Sequence, residues 1–178
     1  MLRDADALVL KGSEPRWYAA YTRANHEKRV ASQIQERSIE QFLPLYSSER
    51  KWKDRRVHLQ LPLFPGYVFV RIGLADRLGV LQIPGVARLV GFNGQPYPLA
   101  DSEIEAIQAC LLHRLNIEPH PNVRVGQRVR VKAGPLQGFE GVVTRRSNRL
   151  RVVISLALIN RSAAVEIPME DLEAVSRK

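Results

Sequence analysis

The side chains best suited to nucleophilic or metal chemistry here are four histidines and one cysteine. No metal site is read from His26, His58, His113, His120 and Cys110. His26-Glu27 lacks the second histidine that a zincin helix requires. Cys110 falls within a helical pattern, where a free cysteine is usually a small buried hydrophobe. Asp101, Glu103 and Glu105 form an acidic cluster, but a solvated first helical turn stabilised by the helix dipole accounts for them. Gly134, Gly138 and Gly141 sit between strands and not ahead of a helix, so no phosphate-cradling loop is formed. No catalytic residue, metal or cofactor is expected, and the chain reads as a non-enzyme.

Two clusters suit binding better than catalysis. The first is Leu61-Pro62-Leu63-Phe64-Pro65-Gly66-Tyr67-Val68-Phe69-Val70. Pro65-Gly66 is a sharp turn feeding a strand. Tyr67 and Phe69, two apart, share one strand face. Core packing explains Phe64, Tyr67 and Phe69, and so does an exposed aromatic surface for a protein partner. The second is Arg50-Lys51-Trp52-Lys53-Asp54-Arg55-Arg56. It reads as a solvated hairpin, or as a phosphate-contacting tract with Trp52 able to stack on a base. Arg145-Arg146-Ser147-Asn148-Arg149-Leu150-Arg151 is a similar cluster near the end of the chain.

The charge supports a polyanionic partner. The 178 residues carry 27 Lys and Arg against 18 Asp and Glu, a net of +9. Residues 119–178 hold 11 of the basic and only 5 of the acidic side chains, which points to two units with different surfaces. The apolar fraction of 45% excludes a disordered tail. No apolar run approaches the roughly 20 residues that span a bilayer. Asp4 and Asp6 stand where a secretion signal wants positive charge. With one cysteine and no intrachain disulfide, a reducing cytoplasmic setting is expected.

The elements that position these clusters follow from periodicity. Trp17–Thr22 reads as a strand, and Asn25 as the cap of a helix running to about Arg37 with Val30, Ala31 and Ile34 facing inward. Gln41–Tyr46 is extended but broken by Pro44, as at a sheet edge or a bulge. Tyr67–Ile72 is nearly continuous in apolar character, as in a central strand covered on both faces. Asp76–Gln82, Val86–Gly91 and Asp101–Leu115 follow as helix, strand and helix, with Asn93-Gly94 as a turn. After the two prolines of Asn116–Asn122 the period changes to two, with strands over Arg128–Lys132, Gly141–Arg145, Arg151–Leu156, Ala163–Ile167 and near Leu172–Val175. The expected fold is α+β: an N-terminal ferredoxin-like α/β sandwich followed by a small all-β barrel. The expected boundaries are a mobile extension at 1–15, a sandwich at 16–115, a linker at 116–122 and a barrel at 123–178.

These motifs resemble the NusG family of transcription elongation factors. The resemblance covers about residues 16–178. In the first unit it rests on Trp17-Tyr18, Asn25-His26-Glu27-Lys28, Phe64-Pro65-Gly66-Tyr67-Val68, Pro84-Gly85-Val86 and Val90-Gly91-Phe92. In the second, Val125-Gly126-Gln127-Arg128-Val129-Arg130-Val131 with Gly134-Pro135, Gly138-Phe139 and Gly141-Val142-Val143 resembles a KOW motif. The resemblance implies an N-terminal NGN domain and a C-terminal KOW domain of SH3-like barrel form.

It also implies partners. The NGN domain would dock an apolar surface, here Tyr21, Phe64, Tyr67 and Phe69, on the clamp helices of the largest RNA polymerase subunit. Arg23, Asn25, His26 and Arg29 would approach the displaced non-template DNA. A late loop of the KOW domain, here Leu158, Ile159, Asn160 and Arg161, would recruit a second partner, the ribosome or Rho. Housekeeping members carry an aromatic there, where this chain has Ile159. Glu40-Gln41-Phe42-Leu43-Pro44, Pro62-Leu63-Phe64-Pro65 and Leu81-Gln82-Ile83-Pro84-Gly85-Val86 look closer to the specialised RfaH and polysaccharide-operon antiterminators. The expectation is therefore a monomeric specialised antiterminator, with a housekeeping factor for pausing and Rho-dependent termination as runner-up. A ribosome-associated RNA-binding protein is the reading from another class. Some specialised members refold the C-terminal domain into helices; the β-branched Val152–Ile154 predict a barrel here.

Overall fold

The computed structural model describes residues 14–52, 55–120, 126–146 and 149–175. The expected extension at 1–15 falls largely outside them, as do Lys53, Asp54, Ser147 and Asn148. The chain divides into two compact units, one up to Leu43 plus Pro65–Asp101, the other Pro44–Phe64 plus Ser102 onward.

The first unit is built on β1 (Arg16–Thr22), α1 (Glu27–Glu36) and β2 (Glu40–Phe42). The second unit supplies β3 (Leu45–Trp52) and β4 (Arg55–Pro62) before the chain returns with β5 (Tyr67–Ile72), α2 (Arg77–Leu81) and β6 (Val86–Leu89). Strands β7 (Gly91–Phe92) and β8 (Gln95–Pro96) form a small hairpin. The four-stranded sheet runs β2-β5-β1-β6, so β5 is internal and β2 lies at an edge, as the strand patterns predict. One sheet face turns Tyr18, Ala20, Val68, Val70, Ile72 and Leu89 into a core with Val30, Ala31 and Ile34 of α1 and with Val80 and Ile83. Each fully buried Val or Ile contributes about 1.5–3 kcal/mol. The helix stops where Ser38 takes a left-handed φ of 58° and Ile39 N–H returns to Ile34 O.

Asn25 is not the cap. His26 holds the N-cap position with no side-chain capping bond, while Asn25 takes φ 61°. The reversal from β1 into α1 needs a left-handed residue, which Asn tolerates, and that use takes Asn25 out of the extended conformation a capping residue needs.

In the second unit β3 and β4 make a two-stranded ribbon. Helix α3 (Asp101–Leu112) ends three residues earlier than expected, with Arg114 at φ 53°. The remaining strands are β9 (Ile117–His120), β10 (Arg128–Val131), β11 (Glu140–Arg146), β12 (Arg149–Leu156), β13 (Arg161–Glu166) and β14 (Leu172–Ala174). They form one antiparallel sheet of small-barrel type in the order β14-β10-β11-β12-β13-β9. Val152, Val153, Ile154, Leu156, Ala163, Ala164 and Val165 are buried there.

The expected linker is corrected by β9. Residues 117–120 pair antiparallel with β13, Pro119 opposite Ala163. A proline lacks a ladder donor and is tolerated on an outer strand, where one edge has no neighbour to bond. Prolines 119 and 121 forbid a helix, as argued from sequence, but they do not forbid a strand.

Candidate functional site

Four separate motifs meet at one end of the first unit's sheet. Thr22, the last residue of β1, donates its N–H to Gly66 O, and Arg23 just beyond it donates its N–H to Gly85 O, both at 2.8 Å. Gly66 has φ +86° and Gly85 φ +103°, conformations that favour glycine. A Cβ on Gly85 would lie 3.0 Å from Val30 Cγ2, so this turn packs directly on α1. The Pro65-Gly66 turn is held from the other side. Gly66 N–H donates to the Glu27 carboxylate at 2.7 Å, and Glu27 is buried.

That bond fixes the entry to β5 against the start of α1. Glu27→Ala leaves a part-buried amide without its acceptor, so a loss of about 1–3 kcal/mol is expected. The urea unfolding midpoint reads it, with Glu27→Gln retaining most of the stability through its amide oxygen.

The sheet face opposite the core is aromatic. Tyr21 stands opposite Tyr67, ring centroids 5.4 Å apart, and the Arg88 guanidinium lies 5.1 Å from the Tyr21 centroid. Tyr21 is 37% exposed and Tyr67 is half-buried. Further along, Trp17 meets Phe42 edge-on at 6.4 Å, and Phe42 lies 6.2 Å from Phe69.

The expectation of a bare Phe64 and Phe69 is corrected. Phe69 is 0% and Phe64 1% exposed. Phe69 lies on the internal strand of the sheet, paired with Ala19 of β1 and Phe42 of β2, so neighbouring strands close over both its sides. The row reaches solvent at the Tyr21 and Tyr67 end, and at the sheet edge, where Phe42 is half-buried.

Two exposed rings were not marked by the sequence as surface. Phe92 is 62% and Tyr97 56% exposed, and they form a T-shaped pair at 5.6 Å across the β7–β8 hairpin. The available signal was two aromatics bracketing Asn93-Gly94, since a turn that tight leaves its flanking rings little core to enter. Gly91 is required there, because an added Cβ would meet Gln95 O at 1.8 Å.

Arg23, Asn25 and Arg29 are exposed around the start of α1, with His26 half-buried and hydrogen-bonded through Nδ1 to Ala24 O at 2.9 Å. The structure therefore brings this polar set together beside Tyr21. Lys51, Arg55 and Arg56 lie instead on the β3–β4 ribbon, where Arg56 pairs with Glu49 at 3.1 Å; Lys53 lies outside the described residues. Of the late loop, Ile159 ends a 3-10 turn, Ala157–Ile159, and is only 5% exposed. That corrects its expected role as a contact, because the turn tucks its side chain inward. Asn160, at φ 51°, and Arg161 are exposed, and Leu158 is half-buried. Cys110 is buried, and burial pushes its thiol up to about 12, which removes it as a nucleophile near neutral pH. Among the described residues no three His, Cys, Asp or Glu gather to hold a metal, and no helix is long and apolar enough to cross a membrane.

Comparison with known proteins agrees with this architecture. The family model "Transcription termination factor nusG" matches residues 15–108, just over half of the chain. The transcription termination/antitermination protein NusG of Buchnera aphidicola is 28% identical, covering 92% of this chain and 98% of its own. Its counterpart from Escherichia coli K12 is 27% identical, covering 89% and 95%. A solved structure described as "Domain interaction in Thermotoga maritima NusG" superposes with a TM-score of 0.60 at 23% identity, covering 92% of this chain and 98% of that one. The fold is thus an NGN-type α+β sandwich followed by a small KOW-type β-barrel. With motifs, fold and family match in agreement, the chain belongs to the NusG family of transcription factors.

Proposed function

We propose that this chain is a transcription antitermination factor that binds RNA polymerase through the Tyr21–Tyr67 end of its first unit. The observation that carries the reading is the aromatic surface itself. Tyr21 and Tyr67 are presented at the sheet end by the Glu27–Gly66 bond, with Arg88 over the Tyr21 ring. Rigid, half-exposed rings beside an arginine are the usual anchors of a protein interface. Phe92 and Tyr97 extend the exposed aromatic area of the same unit. The clamp helices of the largest subunit are the proposed receptor. Arg23, Asn25, His26 and Arg29 then face the non-template DNA, and the Leu158, Asn160 and Arg161 loop recruits a further partner, the ribosome or Rho.

The mechanism requires no bond chemistry. A factor that binds the closed, elongating polymerase more tightly than the paused one shifts the population between them. A difference of about 1–2 kcal/mol changes pause occupancy by roughly 5- to 30-fold. The names of the relatives include termination as well as antitermination, which favours a housekeeping role as the second reading. Single-round transcription on pausing and Rho-dependent templates separates them. Read-through confined to one leader supports the specialised factor, enhanced Rho-dependent termination the housekeeping one. No effect on any template removes both.

A further inference from the structure

We infer that the distal half of the β3–β4 ribbon is a separate nucleic-acid site, shaped for the major groove of duplex DNA. This goes beyond the polymerase reading and stands on the ribbon alone. The ribbon pairs Leu45 with Pro62 at one end and Trp52 with Arg55 at the other. Its chemistry divides along its length. The proximal half, Leu45–Ser48 with Leu59–Pro62, carries no charge. The distal half holds Glu49, Arg50, Lys51, Arg55, Arg56 and His58, all exposed.

The pairing register puts cations on both faces. Lys51 stands directly opposite Arg56 on one face, with Glu49 opposite His58. Arg50 and Arg55 lie on the other face, opposite Val57 and Trp52. Like charges placed directly opposite destabilise a strand pair. The Arg56–Glu49 bond at 3.1 Å relieves one of the four cations and leaves the tip net positive. A ribbon whose charges served only to guard its edges would need neither the excess of one sign nor a like-charged cross-strand pair. A polyanion relieves both.

The shape narrows the partner. Two strands lie about 4.8 Å apart, and four residues extend about 13 Å. The major groove of B-form DNA, about 12 Å wide, admits a two-stranded ribbon, with a phosphate backbone on either side for the cations of each face. The corresponding groove of A-form RNA is too deep and narrow. Single strands are held by aromatic platforms that line a basic groove, and a two-stranded ribbon has no groove of its own to line.

Anisotropy with the purified full-length chain and labelled 20-base-pair DNA, the same RNA duplex and the single strand tests this. Duplex DNA is expected to bind at least tenfold tighter than the other two. With three or four phosphates neutralised, affinity falls roughly 40- to 150-fold between 50 and 200 mM salt. The triple variant Arg50→Ala, Lys51→Ala, Arg55→Ala is expected to flatten the log–log salt slope by nearly three, about 0.9 for each phosphate left without its cation. Arg50→Lys with Arg55→Lys retains it, which keeps charge separate from folding. Methyl green, filling the major groove, displaces the protein; netropsin, filling the minor groove, does not. Equal salt slopes for wild type and the triple variant overturn the inference, as does preference for RNA or single strands, or displacement by netropsin alone. Retention on core RNA polymerase is unchanged in the triple variant, so failure here leaves the polymerase reading standing.

Discussion

Replacing Glu118 by alanine is expected to destabilise the second unit by about 3 kcal/mol, the low end of what breaking a buried ion pair costs because Glu118 keeps partial contact with water. Arg151 on β12 is 3% exposed, and its guanidinium is paired with the Glu118 carboxylate on β9. The two strands flank β13, where Glu118 stands opposite Ala164 and Arg151 opposite Glu166. The Arg151 Nε has no partner, so the guanidinium leans heavily on the bond through its terminal nitrogen. Without Glu118 a buried cation loses that counter-ion, and β9 loses the side chain that ties it beyond its own ladder. Urea unfolding of Glu118→Ala reads the stability, and hydrogen exchange at residues 117–120 reads the loosened strand. Arg151→Met removes charge and desolvation together and is expected to fall within about 1 kcal/mol of wild type, or above it.

Phe69→Ala and Tyr67→Ala are expected to fail in different ways, although the residues are two apart on one strand face. Phe69 is fully buried between its neighbouring strands, so truncation leaves a cavity and costs about 3–5 kcal/mol. Tyr67 is half-buried, and its loss costs well under half of that. Its expected effect is on binding, where removing an interface anchor costs about 2 kcal/mol or more, a roughly 30-fold weaker complex. Thermal melting of both variants beside polymerase binding of Tyr67→Ala checks the separation.

This division marks where the sequence was legible. Alternation and apolar run length located Trp17–Thr22, Tyr67–Ile72 and the barrel strands to within a residue or two, because side-chain period follows directly from backbone geometry. Pro44 marked a break in the extended stretch Gln41–Tyr46, and there the chain leaves β2, at the sheet edge, for β3 of a different sheet. Burial along the aromatic row was not, because Phe69 and Tyr67 have the same period and the same chemistry. What separates them is that Phe69 has Phe42 of β2 beside it while Tyr67 lies past the end of β2, a tertiary fact. Pro119 misled for a related reason: a proline reports what it forbids, and whether the permitted extended conformation becomes a strand depends on an edge such as β13 being available. Loop position alone points to Ile159, and the 3-10 turn that buries it leaves no clear mark in composition. The meeting of Glu27 with Gly66 was present only as two motifs 39 residues apart, each legible and neither naming the other.

Titration of core RNA polymerase with the wild-type chain and with a Tyr21→Ala, Tyr67→Ala double variant tests the central claim most directly. Wild type should form a saturable complex, and the variant should bind at least roughly 30-fold more weakly while melting within a few degrees of wild type. Equal affinity of the two, with both folded, would contradict the claim that the ring pair at the sheet end is the docking surface.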